Sequence, residues 1–276
     1  MGDSRRKVVA VQFLKRFGVF VALMALLLAG VTTQTATASQ RPTGFTAEQQ
    51  TLFSQYGLSS QQIDCLVVDS KMSYDQAIGD SVVPADVQDI HAKMKPLLRV
   101  LPEVYHGYDG RIHLGQIVVH EYVVGKVNRL FLKMFALGFP IYSVIPESHF
   151  GYDDQRSMAA NNSSAYRPER DSVHVAGAAI DLNTFTNPFD VTAYDPNRPI
   201  QPPGAHYNPA AKGAIVKSGP VRVAWTAEHF EWGGGWGDPA ATPPTDYFRT
   251  GFFDYQHFQP DFSWYDEFYK HVPAGV

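Results

Sequence analysis

Apolar positions along the chain fall into three regimes. The stretch "LLRVLPEVYHGYDGRIHLGQIVV", residues 97–119, carries two β-prone runs around Asp109-Gly110, and that dipeptide between such runs predicts a hairpin. Immediately after it, Val123, Val127, Leu130, Phe131, Met134 and Phe135 recur at helical spacing until Gly138 stops the run. "FPIYSVI" then reads as a strand, and short strands are expected around 178–183, 221–225 and 255–259 in a region rich in turns and aromatics. Ahead of the hairpin the pattern is helical. Thr46 and Gln49 form a capping box with Phe45 as its staple, Gly57 ends that helix, and Ser59 with Gln62 repeats the start signal. A third helix is expected near Pro84, with Val87, Ile90 and Met94 on one face. Strand pairs mixed with a long helix predict an α+β fold: a small antiparallel sheet with flanking helices, preceded by a short helical extension.

The first residues have a different character. Arg5, Arg6, Lys7, Lys15 and Arg16 precede an uncharged apolar run from Phe17 to Val31, and Ala36-Thr37-Ala38 offers a small-x-small cleavage site. Residues 1–38 therefore read as a signal peptide, and the chain as secreted to the cell wall or beyond. The apolar run is shorter than the roughly 18 residues of a spanning helix, so the membrane enters only through an uncleaved anchor. Val31 stands where a lipoprotein signal needs cysteine. Residues 39–96 form the helical extension, whose role the sequence does not state, and 97–276 the main domain.

Composition narrows the partners. The signal removes five of 23 basic residues and one of 27 acidic ones, which leaves 238 residues with a formal charge of −8. That balance argues against nucleic acid and against a polybasic membrane patch. Cys65 is the only cysteine, so no internal disulfide is available, and its apolar setting in "IDCLVV" predicts a buried small hydrophobe.

Most of the ten histidines sit in bland contexts. His91, His106, His120, His149, His206 and His271 are expected to be solvated, and His113 and His229 to be hydrogen-bonded structural residues. "DSVHVAGAAIDLN", residues 171–183, is different: it sets His174 and Asp181 seven positions apart across small residues. "FDYQHFQ" adds His257, which alternation places on one strand face with Tyr255 and Gln259. Two imidazoles and one carboxylate with a fourth position open match catalytic zinc. Zinc lowers the pKa of bound water from about 15.7 toward roughly 7. A carboxylate must still take the proton; Asp254, three residues before His257, is the first candidate and Glu231 the second.

"SVHVAGAAIDLN" resembles the S-x-H-x-x-G-x-A-x-D motif of zinc D-alanyl-D-alanine carboxypeptidases, a family that includes phage L-alanyl-D-glutamate endolysins and vancomycin-resistance dipeptidases. "YHGYDGRIHLGQIVV", "LGFPIYSV", "DDQRSMAANNSSAYR", "NPF", "EWGGGW" and "DYQHF" resemble family segments in the family's order, over about residues 97–260. The resemblance implies a zinc peptidase acting on peptidoglycan stem peptides, with His174, Asp181 and His257 as ligands and Asp254 as general base. It places a substrate-facing arginine at Arg167, where a guanidinium can pair with a carboxylate or a developing oxyanion. The segment from Arg167 to His174 is shorter than in relatives, so Arg170 is the alternative. Ser172 either bonds substrate or orders its turn. Gly235 stands where relatives often carry aspartate, and "GDPAATPPTDYFRTGFF" is a long insertion before Asp254. Carboxypeptidase action is the leading expectation; an L-alanyl-D-glutamate endopeptidase and a catalytically silent wall-binding module are the alternatives.

Other motifs are excluded. The glycines of "EWGGGWGD" lack the strand-to-helix setting of a phosphate loop, so no nucleotide is expected, and Trp232 and Trp236 read as packing residues. "HEYVV" has Val124 where a zincin needs histidine, and no G-x-S-x-G elbow is present.

Overall fold

The computed structural model describes residues 45–170, 172–238 and 251–276. The expected signal segment 1–38, residues 39–44, Asp171 and most of the insertion before Asp254 lie outside the described residues. The described chain is mixed α+β, and residues from Gly44 to Val276 form one compact unit.

The hairpin joins Leu98–Gly107 to Ile112–His120, in register from Leu98 opposite His120 to His106 opposite Ile112. Gly110 adopts φ 81°, the left-handed conformation the turn demands, and Asp109 Oδ1 accepts a bond from the Arg111 N–H at 2.9 Å. Two short strands lie parallel along its edges, Val67–Val68 on one side and Pro140–Ile141 on the other. This four-stranded sheet is thus mixed, with antiparallel pairing confined to the hairpin. The helix Val124–Ala136 lays Val127, Leu130, Phe131 and Met134 into a core shared with Leu101, Tyr105, Ile117 and Val119 of the hairpin. Each such side chain contributes about 1.5–3 kcal/mol by leaving water.

A second, antiparallel sheet carries the site. His257–Pro260 is its central strand, flanked by Ile180–Asp181 and Phe230–Trp232. Beneath it lies the helix Pro220–Ala227, whose Trp225 stacks on Phe258 with ring centroids 4.5 Å apart. The strand expected at 221–225 is therefore a helix. Pro220 opens it at a position where the missing N–H costs nothing, and Val221 and Trp225, four apart, share the buried face. "FPIYSVI" splits between sheets: Pro140–Ile141 joins the hairpin, whereas Ser143–Val144 pairs with Asn162–Ser163.

Capping boxes at Thr46 and Ser59 start helices Ala47–Gln55 and Ser60–Asp64, and a third at Ser73 starts Tyr74–Ile78. Val87, Ile90 and Met94 are buried around the helix Gln88–Met94. Residues 45–96 also contribute the strand Val67–Val68, so they are not purely helical. Phe53 and Tyr56 pack on Val104 and Leu114 of the hairpin. Three single-residue expectations fail. Cys65 is exposed at the end of its helix. His91 is buried between the Tyr166 hydroxyl at 2.9 Å and Asp80 at 2.8 Å. His120 is buried where its strand ends, with Nδ1 accepting from the Tyr122 N–H. His113, as expected, is bonded, to Asp69 and Asp109. Among the described residues no helix is long and apolar enough to cross a membrane.

Candidate metal centre

His174 lies in the 3-10 turn Val173–Ala176, opened by Ser172, whose Oγ accepts from the His174 N–H, and closed by Gly177 at φ 66°. The small residues after it serve the fold more than the ligand. Gly177 O accepts from the His120 N–H at 2.8 Å, and a Cβ on Gly177 would stand 2.9 Å from that nitrogen. Ala176, Ala178 and Ala179 are buried beside it. The turn is pressed against the end of the hairpin, and only small residues allow that approach.

Asp181 and His257 are direct cross-strand partners, which places their side chains on one face. Asp181 Oδ1 is 3.1 Å from His257 Nδ1, Asp181 Oδ2 is 3.2 Å from His174 Nε2, and the two ring nitrogens are 3.1 Å apart. All three residues are buried, and their donor atoms lie within 4.8 Å of one another.

The far side of each ring fixes its tautomer. His174 Nδ1 donates to the Ala165 carbonyl at 2.7 Å, which leaves Nε2 as a bare lone pair. Gln259 Nε2 donates to Glu231 at 2.7 Å, so its Oε1 faces His257 Nε2 at 3.0 Å and accepts that hydrogen. Two lone pairs and a carboxylate thus converge at contact distance, an arrangement that repels itself unless a cation lies among them. Two imidazoles and a hard oxygen, each ring oriented by a second bond, suit zinc.

Charge follows the same logic. Burial, and then the charge of Arg167, hold His174 below its usual pKa, so it is neutral and ready to ligate. Burial acts to raise Asp181, but the charges and bonds of His174 and His257 outweigh it and hold the carboxylate well below its usual range. Burial also acts to lower His257, which its bond to Asp181 and the charges of Asp181 and Asp254 reverse.

A cavity of about 820 Å³ opens over the three residues, and Asp254, Glu231, Arg167 and Ser172 line it too. Asp254 is held by pairing of Phe253–Asp254 with Phe189–Asp190. Its Oδ1 is buried without a hydrogen-bond partner, and burial pushes its pKa up to about 7. Gly233 lets the glycine turn close on it, since a Cβ there would meet the Asp254 carbonyl oxygen at 2.6 Å. Gly235 faces open space. Glu231 is tied up with Gln259 behind His257 and is raised by burial. Trp232 is buried in the sheet, whereas Trp236 lines the cavity, its ring 5.3 Å from His257.

Arg167 and Arg170 part company. Arg167 is buried, with Nη1 2.7 Å from Asp154 and 3.4 Å from Asp181, and Nε 2.9 Å from Glu169. Arg170 is exposed, bonded to Asp89 and to the Asp86 carbonyl, and is not among the residues lining the cavity. Sequence reasoning did not single out Asp154, Glu169 or Gln259. Gln259 carried a signal, two residues from His257 on one strand face, whereas nothing in the spacing links Asp154 to Arg167.

Residues 166–260, which span the ligands, Arg167, Glu231 and Asp254, match the family model described as D-alanyl-D-alanine carboxypeptidase. The match supports the family resemblance read from the motifs over that segment. Neither the comparison with curated proteins nor that with solved structures returned a match.

Proposed function

We propose that the protein is a secreted, zinc-dependent peptidase that removes the terminal D-alanine from peptidoglycan stem peptides. One observation carries the reading: the buried His174, Asp181 and His257 share a cavity with a buried carboxyl, Asp254, that has an unpartnered oxygen. His174, Asp181 and His257 would hold zinc, which when bound would supply a nucleophile at neutral pH and Lewis-acid polarisation of the scissile carbonyl. The chain's own groups do the rest. Asp254, with its pKa near 7, takes a proton from the attacking water and returns it to the leaving amine. Arg167, fixed by Asp154 and Glu169, holds positive charge beside Asp181 and offsets negative charge building on the substrate oxygen. Ser172 orders the His174 turn from the cavity wall.

Mass spectrometry of muropeptides digested by the secreted chain tests the reading. Loss of one alanine per stem is expected. Release of a peptide beginning with D-glutamate would instead make the protein an endopeptidase, and intact muropeptides with zinc bound would make it a silent wall-binding module.

A further inference from the structure

Two arginines line the cavity, and they are not equivalent. Arg167 is buried against three carboxylates, Asp154, Asp181 and Glu169, so its donors are engaged within the protein and its part is confined to its charge. Arg198 is exposed, and among the described residues its guanidinium has no carboxylate partner; it lies over the Phe189 ring, 5.0 Å from the centroid. Its place is fixed. The Arg198 N–H donates to the Asp195 carbonyl at 3.0 Å, Asp195 Oδ1 accepts from the Asn197 N–H, and Pro199 holds the next position. Three residues on, Gln201 exchanges both backbone bonds with Phe189, at 2.9 and 3.0 Å. Phe189 is in turn the cross-strand partner of Asp254. A stiff turn therefore presents a free guanidinium on the flank of the cavity that adjoins the candidate base.

We infer that Arg198 is the specificity-determining residue that receives a carboxylate of the peptide substrate. The inference rests on the peptidase reading above and adds to it the group that substrate must carry. A guanidinium presents a planar fork that a carboxylate fills with two parallel bonds, and the contact with the Phe189 ring consumes none of its donors. The cavity wall also carries five carboxyl groups, Asp154, Glu169, Asp181, Glu231 and Asp254, three of which engage Arg167, so Arg198 is the guanidinium left to draw an anionic substrate end to this flank. Stem peptides offer that chemistry twice, at the C-terminus and at the α-carboxylate of D-glutamate.

The test uses L-Ala-D-Glu-L-Lys-D-Ala-D-Ala and two neutralised forms, one amidated at the C-terminus and one with the D-glutamyl α-carboxylate amidated. Calorimetric affinity and turnover are measured for the zinc-loaded wild type and for Arg198→Gln. For wild type, one amidation is expected to weaken binding about 10- to 100-fold, and the amidation that does so identifies the carboxylate. In Arg198→Gln the parent peptide should bind about that much more weakly, and that amidation should cost nothing further. Arg198→Lys keeps the charge but not the fork and should recover only part of the loss. The inference is overturned if wild type binds all three peptides equally, or if Arg198→Gln keeps the preference. If binding follows the expected pattern while no peptide is cleaved, the inference stands and the peptidase reading fails.

Discussion

The hairpin layer and the site layer bury polar groups for different ends. Around Leu98–Gly107 and Ile112–His120 the strands are long, the ladder supplies the backbone bonds, and the buried ionisable side chains are Glu103, His113 and His120. Around His257 the strands run two to four residues, and side-chain amides stand in for the missing ladder. Asn162 donates to the Ile145 carbonyl at 2.8 Å, Asn183 accepts from the Tyr142 N–H at 2.8 Å, and Asn187 joins the Leu182 carbonyl to the Ile215 N–H. Both layers contain a carboxyl with one unpartnered oxygen, Glu103 Oε1 and Asp254 Oδ1, and burial raises the pKa of both. Their surroundings separate them. Glu103 accepts from the Tyr56 hydroxyl at 2.8 Å inside the sheet packing, whereas Asp254 faces the cavity that holds the candidate ligands. A perturbed carboxyl marks chemistry where it adjoins open space and other reactive groups, and marks only a cost of folding where it does not.

Changing each carboxyl to its amide should split the two. Asp254→Asn is expected to keep zinc and the fold while the hydrolysis rate falls about 10²–10⁴-fold, because the amide accepts no proton. If Glu231→Gln is the inactive variant and Asp254→Asn remains active, the base is Glu231 and the comparison collapses. Glu103 should act on stability instead. Its pKa, pushed up to about 8 from 4.5 by burial, means that the folded state keeps a proton which the unfolded chain releases. Its contribution is complete below about pH 4.5 and is lost as pH rises through 8, a decline on the order of 5 kcal/mol. Denaturant midpoints between pH 5 and 8 should flatten in Glu103→Gln while turnover is unchanged. Glu147, raised to about 7 by its own burial, leaves a residual slope. The smallest effect is expected at Gln259, which fixes the His257 tautomer: Gln259→Leu should weaken zinc affinity about 10- to 100-fold in a chelator competition.

The two layers also differ in how much of them the sequence reveals. The hairpin, the helix at Val124–Ala136 and the boxes at Thr46 and Ser59 follow from local pattern, because turn chemistry, period and caps act over a few neighbouring residues. Two-residue strands carry no period to read. The strand expected at 221–225 is a helix because Pro220 and the spacing of Val221 to Trp225 decide the local structure. His174, Asp181 and His257 were legible from ligand chemistry and from the family motif. The register that sets Asp181 opposite His257, and the pairing of Arg167 with Asp154 and Asp181, are long-range contacts that no local signal encodes, whereas Glu169 meets Arg167 from two residues away.

The central claim is that His174, Asp181 and His257 hold a zinc ion on which hydrolysis depends. Metal analysis of the purified chain, paired with turnover of a peptide ending in D-Ala-D-Ala before and after chelation, tests it most directly. The account predicts about one zinc per chain, loss of activity on chelation with recovery on adding zinc, and neither metal nor activity in His257→Ala. Full turnover by a demetallated sample would contradict it.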